Sequence, residues 1–141
     1  MNRPPDPGPP LTAGPEFCPD DPPSTGEYAR AVGLAGLSAL VMGCAWFAVA
    51  LATGQFWGAA LILMGAVSGL AVLQASPHRS IAMGAIAVGA GLVAALLGYG
   101  LRWLPVVDPA LAPGLAWYHP VLLAVGLYAG YWLAGPQSAR Y

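Results

Sequence analysis

Few side chains in this sequence can hold a metal, move a proton or attack a substrate, and each can be weighed singly. Arg102, Asp108 and His119 fall within one short stretch. An imidazole that titrates near neutral pH, oriented by a carboxylate and flanked by a guanidinium, could bind an ion or exchange a proton. The competing reading is structural, with Arg102 reaching for phosphate head groups and His119 closing the start of a helix. His78 is the other histidine. It could share one haem or metal with His119 only if both lay on the same side of whatever separates them.

The two cysteines form no redox framework. Cys18, in Glu16-Phe17-Cys18-Pro19-Asp20-Asp21, has neither a CxxC partner nor a nearby histidine, so a zinc site there would need ligands from another chain. Cys44 stands in the middle of an apolar run and is expected to be a small packing residue. On these grounds the chain is not expected to be an enzyme. No catalytic residue, metal ligand or cofactor is assigned, and the Arg102, Asp108 and His119 cluster is kept as the one candidate site.

The elements that carry these residues follow from composition. Of 141 residues, 57% are hydrophobic and only 8% charged, and the mean hydropathy is +0.64. Soluble domains carry roughly a quarter charged residues, so this balance excludes an ordinary soluble domain. There are five arginines and no lysine, and the net charge is −1. Such a chain has no basic patch able to track phosphates, so no nucleic-acid partner is expected.

Five of the six acids (Asp6, Glu16, Asp20, Asp21 and Glu27) lie in the first 27 residues, together with nine of the fifteen prolines. Residues 1–27 therefore read as a disordered, Pro-rich, acidic tail with too little apolar surface to fold, open to a soluble partner through its proline-spaced segments. Prolines and acids follow Arg3 where a secretory signal would need an apolar run, so the tail is expected to be retained.

Residues 28–141 read as one all-α domain of four transmembrane helices in two hairpins, with spans of about 29–52, 56–75, 81–103 and 116–135. The fourth is expected to begin near Leu115 to His119, with Pro120 in its first turn where a missing N–H costs little. Arg3, Arg30, Arg79 and Arg140 fall on one face and Arg102 on the other, which predicts both termini in the cytoplasm of a cell inner membrane. His78 and His119 then lie on opposite faces and cannot share a ligand within one subunit. Trp103, Trp117 and Tyr118 edge the longest connection, as interfacial aromatics do.

Glycine spacing suggests how these helices pack. Gly36, Gly43 and Ala50 recur every seven residues in the first span, and Gly84, Gly91 and Gly98 do so in the third, with Ala87 and Ala94 between them. The second and fourth spans carry GxxxG pairs, Gly65 with Gly69 and Gly126 with Gly130. Seams of this kind let backbones approach closely in lipid. Gly36 to Gly84 is 48 residues and Gly65 to Gly126 is 61, an offset pattern compatible with a tandem duplication into parallel repeats.

No acid, base or histidine falls within the middle of a span, which disfavours a proton-coupled carrier. Ser38 and Ser68 are the polar side chains at depth, and a hydroxyl bonding its own helix backbone is the simpler expectation for each. The expected role is a non-catalytic accessory or assembly subunit of a larger membrane complex, partnered by lipid and by other membrane subunits or by itself. A small homo-oligomeric channel or carrier is the alternative, and a membrane enzyme or cofactor protein built on loop 102–119 the second.

Overall fold

The computed structural model describes residues 22–104 and 116–136. It contains α1 (Thr25–Thr53), α2 (Gly58–Ala75), α3 (Ile81–Gly100), a 3-10 turn (Leu101–Trp103) continuing α3, and α4 (His119–Ala134). No strand occurs among the described residues. The acidic tail up to residue 21, Cys18, Asp108 and Arg140 lie outside them.

Each boundary has a local cause. The α1 helix starts three residues ahead of the expected domain edge, because Ser24 and Glu27 form a reciprocal capping box: the Glu27 N–H donates to Ser24 Oγ at 3.3 Å and the Ser24 N–H to Glu27 Oε2 at 2.7 Å. The same helix stops at Gly54, whose φ of 68° is left-handed and suits a residue without Cβ. Ser80 caps α3 by accepting from the Met83 N–H at 3.2 Å.

Pro120 lies in the first turn of α4, as its missing N–H favours. The helix begins at His119, the last residue of the expected range, with residues 117 and 118 in a turn ahead of it. That leaves 16 residues, about 24 Å at ~1.5 Å per residue. Three helices, Thr25–Thr53, Gly58–Ala75 and Ile81–Trp103, are long and apolar enough to cross a membrane, and α4 is a shorter apolar helix.

The closest pairings are not those within the hairpins. The α2 helix lies most intimately against α4 and α1 against α3, while α1–α2, α3–α4 and α2–α3 also touch. Gly65 faces Gly126 and Gly69 faces Gly130, so α2 and α4 run in the same direction. A methyl placed on Gly69 would lie 2.8 Å from the Gly130 carbonyl oxygen, and one on Gly65 would overlap the Gly126 carbonyl.

The third helix seats on this pair and on α1. Gly84 lies under the Tyr131 ring, Gly91 against Leu127 and Gly65, and Gly98 against Trp46 and the Gly43 carbonyl. Thus α2 and α3 lie between α1 and α4. A two-fold axis exchanging the hairpins would match the α2–α3 contact with an equally close α4–α1 contact, and that pairing is absent or marginal. The hairpins stand side by side, an arrangement unlike a two-fold repeat.

On α1 the buried stripe differs from the expected one. Ala31, Ala35, Ala39 and Gly43 recur every four residues, followed by Trp46 and Ala50. Gly36, one step of the seven-residue series, is exposed, with nothing within 4 Å of where its Cβ would stand. The reason is rotational: at about 100° per residue a seven-residue step falls about 20° short of two turns while a four-residue step runs about 40° past one, so the two rows that meet at Gly43 diverge and lie on different faces by Gly36. Cys44 is exposed as well, so it is not the packing residue expected from its position in the run.

These contacts separate two classes of glycine. Gly65→Ala and Gly126→Ala force helix backbones apart and are expected to destabilise the fold by about 1–3 kcal/mol. Gly36→Ala adds a methyl in open space and is expected to leave stability unchanged or slightly raised. Thermal unfolding in mild detergent, followed by circular dichroism, checks both; equal losses at all three positions would contradict the packing described.

Candidate functional site

Among the described residues the histidines and the charged side chains stand at the two ends of the bundle. At one end, the connection between α1 and α2 folds Phe56 inward, where it is only 4% exposed. Its ring meets Trp46 of α1 at 4.6 Å between centroids and Tyr99 of α3 at 5.9 Å, both tilted. Trp46 Nε1–H donates to the Trp57 carbonyl at 3.1 Å, so the buried indole has its partner.

His119, 3% exposed, completes this end from α4. Its Nε2 lies 2.9 Å from the Phe56 carbonyl oxygen, and its Nδ1 lies 2.8 Å from the Ala116 backbone nitrogen. One neutral tautomer satisfies both, with Nε2–H donating to Phe56 and Nδ1 accepting from Ala116. The imidazole clips the start of α4 to the α1–α2 connection, with Tyr118 stacked on its ring at 4.7 Å. With both nitrogens on backbone groups, acid–base work or metal binding by His119 would require breaking one of these bonds.

Arg102 stands in the 3-10 turn that continues α3. It donates to Tyr99 Oη at 3.2 Å and covers the Tyr99 and Trp103 rings, each at 5.2 Å from the centroid. Tyr99 is the common neighbour, since it also lines an apolar cleft with His119, Trp46, Leu61, Ala95, Leu96, Pro120 and Leu123. Asp108 lies outside the described residues. Among the described residues no group of three or more His, Cys, Asp and Glu stands close enough to hold a metal ion.

The opposite end carries a polar knot with no counterpart in the sequence reading. Glu27 Oε1 accepts from Ser76 Oγ at 2.9 Å and lies 2.9 Å from His78 Nδ1, while Ser76 Oγ accepts the His78 N–H at 3.1 Å. The capping carboxylate of α1 therefore also fastens the α2–α3 connection. At 29 residues, α1 is about 43 Å long, well beyond the ~30 Å of a hydrocarbon layer, so its first turn, with Glu27, projects past the apolar segment.

The Ser24 backbone N–H, then the His78 and Ser76 side chains, hold the Glu27 carboxyl down to about 2 from its ordinary 4.5. The Ser24-x-x-Glu27 spacing ahead of an apolar run is a capping-box signature and would have marked the helix start. Nothing local in the sequence pairs Glu27 with His78.

The remaining polar groups at depth serve the backbone. Ser38 Oγ donates to the Ala35 carbonyl and Ser68 Oγ to the Met64 carbonyl, each at 2.8 Å. Of the expected packing glycines, Gly43, Gly65, Gly69, Gly84, Gly91, Gly98, Gly126 and Gly130 all stand at helix contacts, and Gly36 does not. No family model, curated protein or solved structure matches this chain.

Two outcomes follow from the ends of the bundle. His119→Ala strands the buried Phe56 carbonyl and is expected to cost about 1–3 kcal/mol, read as a lowered unfolding midpoint. Because the folded pKa of Glu27 is depressed, its contribution is fully present above pH 4.5 and is lost as pH falls towards 2. Glu27→Gln is expected to flatten the stability profile across that window, and an unchanged profile would rule out the knot as its cause.

Proposed function

We propose that this chain is an integral membrane protein whose four helices cross the bilayer as α1 down to α4, with both termini on the cytoplasmic side of a cell inner membrane. Three helices of sufficient length and apolarity support insertion, and the alternation of their direction makes four crossings consistent. The short α4 fits beside α2, to which it is joined backbone to backbone through Gly65, Gly69, Gly126 and Gly130. Arg30 and Arg79 at the Glu27 end, against Arg102 at the other, support the orientation.

Within that setting we infer a non-catalytic accessory or assembly role, in which the bundle presents apolar helix faces to other membrane subunits. The carrying observation is the use made of the polar groups. His119, Ser38, Ser68 and Trp46 are turned onto backbone carbonyls, and the helix interfaces are closed by glycine–backbone contact. Such an interior offers rigidity, and the α2–α4 contact fills the line along which a single copy would need a solute path. Large apolar side chains, among them Val32, Leu37, Leu40, Val41, Leu96 and Val121, remain exposed on the outside.

Alkaline carbonate extraction of cell membranes is expected to leave the protein in the pellet, which tests insertion alone. Affinity purification of the tagged full-length chain at native expression in mild detergent, followed by mass spectrometry, is then expected to recover other membrane subunits in stoichiometric amounts. Recovery of a homo-oligomer alone, with solute flux in liposomes, would transfer the reading to a small channel or carrier.

A further inference from the structure

Between α1 and α2, in the half of the bundle that carries Glu27, an apolar slot of about 320 Å³ opens to the outside. Leu34, Leu37 and Val41 stand exposed along its edge, and Ser38, Val67 and Ala71 lie half-buried on its floor. Ser38 Oγ donates to the Ala35 carbonyl, so its proton is already taken. Gln74, exposed in the last turn of α2, lines the slot at its outer end. Among the described residues neither the Gln74 carboxamide nor the Arg30 guanidinium has a hydrogen-bond or ion-pair partner.

Arg30 continues the same face of α1. Steps of four, three and four residues lead from Arg30 through Leu34 and Leu37 to Val41, a row that stays on one side of a helix. Arg30 is exposed, and at ~1.5 Å per residue it stands about 6 Å beyond Leu34 and about 16 Å from Val41 along the axis. One leaflet of hydrocarbon is about 15 Å deep, half of a ~30 Å layer. The row therefore places a cation at the head-group level and apolar side chains through the depth of one leaflet.

The neighbouring acid does not cancel that cation by pairing with it. Glu27 Oε2 accepts from the Ser24 N–H, and its Oε1 is taken by Ser76 and His78. An exposed guanidinium and a carboxamide donor at the end of an apolar slot match a molecule with an anionic head, ester carbonyls and a hydrocarbon tail.

We propose that this slot binds one anionic glycerophospholipid of the bilayer, with its phosphate at Arg30, an ester carbonyl accepting from the Gln74 carboxamide and the upper part of one acyl chain lying along Leu34 to Val41. The proposal rests on membrane insertion and is independent of the accessory role. Arg30 selects the charge of the head group, and the slot takes the chain.

The test is native mass spectrometry of the full-length protein in mild detergent, with equal amounts of dioleoyl phosphatidylglycerol and dioleoyl phosphatidylcholine added. Retention of one phosphatidylglycerol is expected, preferred over phosphatidylcholine by about fivefold, the increment that one basic residue near anionic head groups supplies. Arg30→Gln is expected to abolish the preference, whereas Arg79→Gln, at the same end but outside the slot, keeps most of it. Equal retention of the two lipids by the unaltered protein, or equal losses in the two arginine variants, overturns the head-group assignment. Ala71→Leu, which fills the floor, is expected to lower retention of both lipids, and unchanged retention overturns the chain assignment.

Photolabelling of the unaltered protein with a phosphatidylglycerol carrying a diazirine in its acyl chain gives a second readout that needs no variant. Label concentrated on Leu34, Val41 and Val67 supports the site. Label spread evenly over all four helices overturns it. Carbonate extraction separates failure of this site from failure of insertion itself.

Discussion

The approach of α2 to α4 without intervening side chains is the constraint from which the rest of the bundle follows. Gly65 and Gly69 on one helix and Gly126 and Gly130 on the other bring backbone against backbone. In the proposed bilayer setting there is little hydrophobic gain from pairing helices, so close dispersion contact and weak Cα–H···O bonds supply the attraction, and both need this proximity. Gly91 of α3 then meets Gly65 and Leu127 in the angle between the pair. Its own Gly98 carries the contact on to Trp46 and Gly43, and so places α1 at the far side from α4.

Glycine contacts set how near the helices lie, but they resist sliding weakly, and the ends of the bundle supply what they lack. At one end an imidazole ties α4 to the α1–α2 connection through the Phe56 carbonyl. At the other a carboxylate ties the first turn of α1 to Ser76 and His78 in the α2–α3 connection. The first is buried and bonds through both ring nitrogens to backbone groups. The second is partly exposed and works as an anion, its charge stabilised by a backbone N–H and two side chains. The first satisfies the Phe56 carbonyl, which would otherwise be buried without a partner.

Of the candidate cluster read from the sequence, His119 and Arg102 lie within the described residues and Asp108 outside them. His119 turns inward and belongs to the fastening of the bundle, whereas Arg102 turns along α3 towards Tyr99 and Trp103 at the rim. Sequence proximity suggested a common site because residues 102 and 119 bound one connection. The fold gives His119 a partner 63 residues away, while Tyr99 bonds Arg102 and lines one cleft with His119. Glu27 underwent the reverse change. Grouped with the acids of the tail by composition, it is structurally the first turn of α1 and the partner of a histidine 51 residues on.

Four apolar runs, each able to satisfy its backbone hydrogen bonds internally, were legible from residue type alone because helix formation is a local matter. The GxxxG pairs and the Gly84, Gly91, Gly98 series were legible for a related reason: a small residue repeated on one helical face marks where a neighbour can come close. Which neighbour it is depends on rotation and order, to which periodicity is blind. Hence only the tertiary structure decided that α2 pairs with α4, that Ala35 and Ala39 replace Gly36 in the α1 stripe, and that Cys44 faces outward. The same holds for the two latches, since a bond between a side chain and a group more than fifty residues distant exists only once packing has set both in place.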